Sequence, residues 1–152
     1  MLTKHIMQHI LSYLNGIPQP TSKASSMRKI GHIDMRSAID HGYLILNTLP
    51  ESLQGCLIRG SIVAAEEEEM MNEILMHDEL DKIIVLYGSN AADESVDTKY
   101  RELVEVGFRR VYVYAGGLFE WLLLQDIYNE TEFPTTSKQT DILRFQPSRR
   151  KF

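Results

Sequence analysis

Cysteine is nearly missing from this chain: among 152 residues only Cys56 carries a thiol. One thiol closes no intrachain disulfide and builds no cysteine-based zinc cluster, so a reducing, cytoplasmic setting is expected. Long apolar runs are missing too. The longest, such as residues 83–87, and others such as 121–124 fall far short of the ~18 apolar residues that a membrane-spanning helix needs, so no membrane partner is expected. The first residues lack the unbroken apolar stretch of a leader, because Lys4, His5, Gln8 and His9 interrupt it. Basic excess is absent: 16 Lys and Arg against 21 Asp and Glu give a net charge of -5. That balance argues against sequence-independent nucleic-acid binding, which relies on clustered cations. Neither low hydrophobicity nor high net charge marks the chain as disordered, since 43% of residues are hydrophobic. The length corresponds to one globular unit.

What is present is an alternating pattern. Leu2, Ile6, Met7, Ile10, Leu11 and Leu14 recur at three- and four-residue steps, which predicts an amphipathic helix stopped by Asn15 and Gly16. Residues 17–26, rich in Pro and Ser, read as a linker. A short apolar stretch over 30–33 leads to Asp34, a candidate cap for a helix through Asp40 that His41 and Gly42 close. Residues 43–46 suit a strand buried on both faces. A weaker strand pair is expected at 56–58 and 62–63 around Arg59 and Gly60, then a helix over 64–80 whose acidic run Glu66 to Glu69 reads as a solvated start. Residues 82–87 give the clearest buried strand. A polar loop over 88–94 hands over to a helix from near Ser95 to Val106, with Gly107 as its cap; a strand over 111–114, Gly116, Gly117 and an apolar helix to about residue 127 follow. Such alternation predicts an α/β fold: an open parallel sheet of about five strands with helices on both faces, plus an N-terminal helix. The expected organisation is helix 1–16, linker 17–28, α/β domain 29–128 and C-terminal extension 129–152, whose basic end packs only partly. Ligands of open parallel sheets bind beyond the carboxyl ends of the strands, which singles out 88–94.

The order Ile83-Ile-Val-Leu-Tyr87, a loop, a helix with Tyr100 and Leu103, Gly107-Phe108, Val111-Tyr-Val-Tyr114 and Gly116-Gly117-Leu-Phe-Glu-Trp121 resembles the C-terminal half of a rhodanese-like domain. Upstream, Tyr43-Leu-Ile-Leu-Asn47 is similar to the family's leucine-isoleucine-aspartate-valine-arginine strand, and Leu57-Ile-Arg-Gly-Ser-Ile62 to its histidine-isoleucine-proline-glycine-alanine-isoleucine segment. The resemblance spans about 30–127 and implies the same α/β fold. It also implies an active-site loop, in which a cysteine directly after the central strand opens a ring of inward N–H groups that lower a thiol pKa and hold a persulfide or phosphate. Counting from Tyr87 puts that cysteine at Gly88; counting back from Gly107-Phe108 puts it nearer Asn90. Neither is cysteine. Leu49 stands near the family's arginine, and Leu57 replaces its histidine. The resemblance therefore implies a scaffold without its nucleophile: a catalytically inactive module that binds an unidentified protein partner or regulates. The alternative is a sulfurtransferase, or less readily a phosphatase, with unusual loop chemistry through Cys56. The loop equivalent comprises Gly88, Ser89, Asn90, Ala91, Ala92, Asp93 and Glu94, with Gly116, Gly117, Phe119 and Trp121 as crevice neighbours.

Read by themselves, these residues have plain roles open to them. Cys56 has no basic neighbour before Arg59 to lower its pKa and reads as a buried structural thiol. Ser89 has no adjacent base in sequence and reads as a turn former. Asn90, Asp93 and Glu94 suit helix capping. His5 and His9 share a helical face, yet two ligands do not make a metal site; His32, His41 and His77 show no ligand spacing. No metal and no cofactor are expected. Arg149, Arg150 and Lys151 are too few to read as a nucleic-acid patch. A monomer or weak homodimer is the expected assembly.

Overall fold

A computed structural model describes residues 26–152; the N-terminal helix and most of the linker expected before them lie outside the described residues. β1 (Lys29–Ile30), β2 (Leu44–Asn47), β3 (Ser61–Ile62), β4 (Ile83–Tyr87) and β5 (Arg110–Tyr114) form a five-stranded sheet in the order β1-β5-β4-β2-β3. All its pairings are parallel. β4 lies in the middle, with Leu44 opposite Ile84 and Asn47 opposite Tyr87 on one side and Ile83 opposite Arg110 on the other. A strand flanked on both sides and covered on both faces must be apolar throughout, as 83–87 is.

The period-two alternation of the strands sorts the core into two layers. Ile45, Val85, Tyr87 and Tyr114 face α1 (His32–Asp40) and α4 (Gly117–Ile127). Leu46, Ile84, Leu86, Val111 and Val113 face α2 (Ala64–Met76) and α3 (Glu94–Val106). The expected α/β architecture, an open parallel sheet of five strands with helices on both faces, is what the described residues form.

Several boundaries differ from those expected, each for a local reason. α1 begins at His32 with Gly31 as its cap, so Asp34 sits inside the first turn, where its charge meets the helix dipole, and makes no cap bond. α2 stops at Met76 rather than 80 because Asp78 turns to φ 54, and the N–H groups of His77, Asp78 and Glu79 close back on the last turn. Residues 56–58 are not one member of a local strand pair. The Leu57 N–H donates to Thr136 Oγ1, the Thr136 N–H donates to the Leu57 carbonyl, and Ile58 bridges Thr135 in antiparallel sense. Their partner is the C-terminal segment.

That segment packs against the body at particular points. Phe133 and Phe145 are fully buried in the layer shared with α1 and α4. Trp121 Nε1 donates to the Pro134 carbonyl and Gln125 Nε2 to the Phe133 carbonyl. A 3-10 turn, Ile142–Phe145, carries the chain back across the carboxyl ends of the strands.

Candidate active-site loop

Three elements hold the loop that follows β4. At the end of β2, the Thr48 N–H donates to the Tyr87 carbonyl at 3.0 Å, which ties that strand end to the start of the loop. Ser95, at the start of α3, pairs its hydroxyl with that of Thr48 at 2.8 Å. From α4, the Leu118 and Phe119 N–H groups donate to the Gly88 and Ser89 carbonyls, each at 2.9 Å. That last contact explains Gly117. Its φ is +66, and a Cβ would meet the Gly88 carbonyl oxygen at 2.6 Å and the Asn90 nitrogen at 2.8 Å, so only glycine lets the helix end reach the loop.

Inside the loop, Asp93 is the organising side chain. Its Oδ2 accepts the Ser89 N–H at 2.8 Å, while its Oδ1 accepts the Ser95 N–H at 3.1 Å and the Ser95 hydroxyl at 2.5 Å. One carboxylate thus caps α3 and closes the loop on itself. Asn90 Oδ1 accepts the Ala92 N–H, and Asn90 Nδ2 donates to the Phe145 carbonyl at 2.9 Å, tying the C-terminal segment over the loop. Gly88 follows β4 directly. A Cβ there would lie 2.5 Å from Asp93 Oδ2 and 2.5 Å from Val96 Cγ2.

The other residues singled out from the sequence fall in different places. Trp121 is fully buried and packs edge-on to Tyr114 and Phe133. Phe119 is half-buried against the same layer and meets the loop through its backbone N–H. Gly116 lies against the Glu120 carboxylate. Cys56 is 3% exposed, and its thiol donates to the Ser137 carbonyl at 3.4 Å. Burial raises its pKa above the usual thiol value, outweighing the hydrogen bonds from Ser137 and Thr135 that lower it, so at neutral pH it stays a protonated, weakly nucleophilic thiol. It lines a cavity of about 230 Å3 with Leu53, Gly55, Ser137 and Phe145, whereas the crevice above the loop is lined by Ser89, Asn90, Asp93 and Glu94.

Two local networks position these parts. Tyr87 Oη accepts the Ile58 N–H at 3.1 Å and pairs with Ser61 Oγ at 2.7 Å, fixing the 58–61 turn to the central strand. Asn47, at the end of β2, donates to the Ile62 carbonyl at 3.0 Å and exchanges amide hydrogen bonds with Gln54, which also accepts the Ala64 N–H.

Residue patterns alone do not point to Thr48, Arg144, Arg149 and Arg150, which line the loop crevice together with 88–95. Their one available signal is Phe145, an aromatic residue in an otherwise polar tail that has to be buried somewhere. Among the described residues no group of His, Cys, Asp or Glu could hold a metal ion, and no helix is long and apolar enough to cross a membrane.

Comparison with solved structures places the fold. A full-length protein from Lactobacillus plantarum superposes with a TM-score of 0.54 at 18% identity, covering 88% of this chain and 98% of its own. A rhodanese-like domain from Anabaena gives 0.53 at 19% identity over 82% and 87%. A Saccharomyces cerevisiae homologue of single-domain rhodanese and the Cdc25 phosphatase catalytic domain gives 0.52 at 11% identity over 76% and 91%. At such identities the likeness is one of fold. No curated protein sequence matches the chain. The family description "Rhodanese-like domain" matches residues 20–124, which takes in β1 through most of α4 with the loop described above. The chain belongs to the rhodanese-like domain family.

Proposed function

We propose that this chain is a rhodanese-like domain without sulfur-transfer or phosphatase chemistry, which serves as a protein-binding or regulatory module through its loop region. The packing at Gly88 carries the reading. The residue directly after the central strand has no side chain, and a Cβ there would stand 2.5 Å from an Asp93 oxygen and from a Val96 methyl. A cysteine at this position would displace the Asp93 and Val96 side chains, and with Asp93 the contact that closes the loop on Ser89. Electrostatics point the same way. The Ser89 N–H, which could serve a bound anion, already serves the Asp93 carboxylate, and a second anion would meet like charge. Asn90, the other position reached by counting, spends its side chain on Ala92 and Phe145.

The test is enzymatic. Purified protein is expected to show neither thiosulfate:cyanide sulfur transfer nor phosphatase turnover above blank, and Gly88→Cys is expected to restore neither. Robust turnover that disappears when a loop residue is changed overturns the reading. Mass spectrometry after thiosulfate treatment covers the other thiol: Cys56 is expected to stay unmodified, and a stoichiometric persulfide there would speak for the enzyme.

A further inference from the structure

The crevice above the loop has a volume of about 770 Å3, and one of its walls is built by the C-terminal segment, beyond the residues that match the family. That wall is anchored, because Phe145 is 1% exposed and its carbonyl accepts from Asn90 Nδ2. Arg144, Arg149 and Arg150 line the crevice, and none forms an ion pair with a described carboxylate. On the opposite wall Asp93 is engaged by donors of Ser89 and Ser95, which leaves Glu94 as the one uncommitted carboxylate facing three guanidiniums. Guanidinium groups stay charged at every physiological pH and take carboxylates through paired N–H donors. A compact oxyanion finds a poorer seat: the N–H groups of Ser89, Ala92 and Asp93 are all spent inside the loop. A nucleic-acid strand would find no aromatic side chain in the lining on which to stack a base.

We propose that this crevice binds an acidic segment of a protein partner, with Asp or Glu carboxylates of that segment engaging Arg144, Arg149 and Arg150. The assignment rests on the binding-module reading above and adds the chemistry of what is bound.

The test titrates the isotopically labelled full chain with an acetylated hexaglutamate amide, followed by NMR, with inorganic phosphate and a short oligothymidylate titrated in parallel. Shifts are expected at Thr48, over 88–95 and over 144–150, with an affinity that falls as salt rises. Changing Arg144, Arg149 and Arg150 together to Ala is expected to weaken binding about tenfold, since each partly exposed charge pair contributes a factor of about two to five. Glu94→Gln is expected to tighten it about twofold by removing the opposing charge. The inference is overturned by an absence of shifts in the crevice, by unchanged affinity in the triple variant, or by phosphate or oligothymidylate binding there more tightly than hexaglutamate. Turnover assays on the same sample separate the two readings. A failed titration without turnover removes the acidic-peptide assignment alone, whereas loop-dependent turnover removes the binding module.

Discussion

Tyr87 and Tyr114 end neighbouring central strands and point into the same layer, yet their hydroxyls meet different fates. Tyr87 Oη has Ile58 and Ser61 as well-formed partners, whereas the buried Tyr114 Oη has only the nearby Glu120 carboxylate, outside good hydrogen-bond geometry. Burial pushes both phenols well above their usual pKa of 10.0, helped at Tyr114 by the nearby Glu120 carboxylate, and burial also raises the Cys56 thiol from 9.0. Each group keeps its proton longer folded than unfolded, so its contribution is complete below the unfolded pKa and is lost as pH climbs toward the folded one. Stability is therefore expected to be flat up to about pH 9 and then to fall, by up to ~1.4 kcal/mol per pH unit for each group within its window. Guanidinium midpoints measured between pH 8 and 11 check this, and a flat profile contradicts it. Tyr114→Phe, which removes a buried hydroxyl held beside the Glu120 carboxylate, is expected to change neutral-pH stability by no more than about 1 kcal/mol and to reduce the alkaline slope. Sequence patterning marks both tyrosines as core. It does not say which hydroxyl finds a partner, since that depends on the path of 56–61.

Between elements, the pairing of α2 with α3 shows a charge used differently from its sequence pattern. The run Glu66 to Glu69 reads as a solvated helix start, but Glu67 is 7% exposed and pairs with Lys99, itself 4% exposed. The reason is helical phase: Glu67 lies on the face that also carries Met71 and Ile74, which is the face turned inward. Breaking a buried pair strands one charge. Lys99→Met alone is expected to cost about 3–5 kcal/mol, and the double change with Glu67→Leu to recover most of it, because two apolar groups need no compensation. Denaturant titration of the three proteins decides; an additive double variant would mean that the pair is not coupled. Other features of α3 are plain from the sequence alone. Asp93 caps it and Gly107, at φ 114, ends it, because those two roles depend on a few adjacent residues.

Across the whole molecule, the C-terminal segment decides more than its composition suggests. It pairs with 56–59, seats Phe133 and Phe145 in the core and walls the loop crevice. Removing everything after Tyr128 takes away both phenylalanines and bares Trp121. At roughly 1.5–3 kcal/mol for each buried aromatic, plus the hydrogen bonds lost, the expected cost rivals the ~5–15 kcal/mol that holds a domain folded. The truncated chain is expected to lose its near-ultraviolet circular dichroism and its cooperative melt; a protein that still melts cooperatively near the full chain's temperature refutes this. The parallel α/β plan and the loop after β4 are legible in the sequence because they rest on local signals: apolar runs the length of a strand, periodic helices and paired glycines. By itself the sequence determined the class of fold, the family frame and the missing loop cysteine, all properties of residue type and order. Only the tertiary structure decided that Asp93 closes the loop, that the Asp93 and Val96 side chains crowd Gly88, and that the arginines of the tail line the crevice. Those facts arise from contacts between distant segments, and the packing geometry that sets them leaves no local periodicity to read.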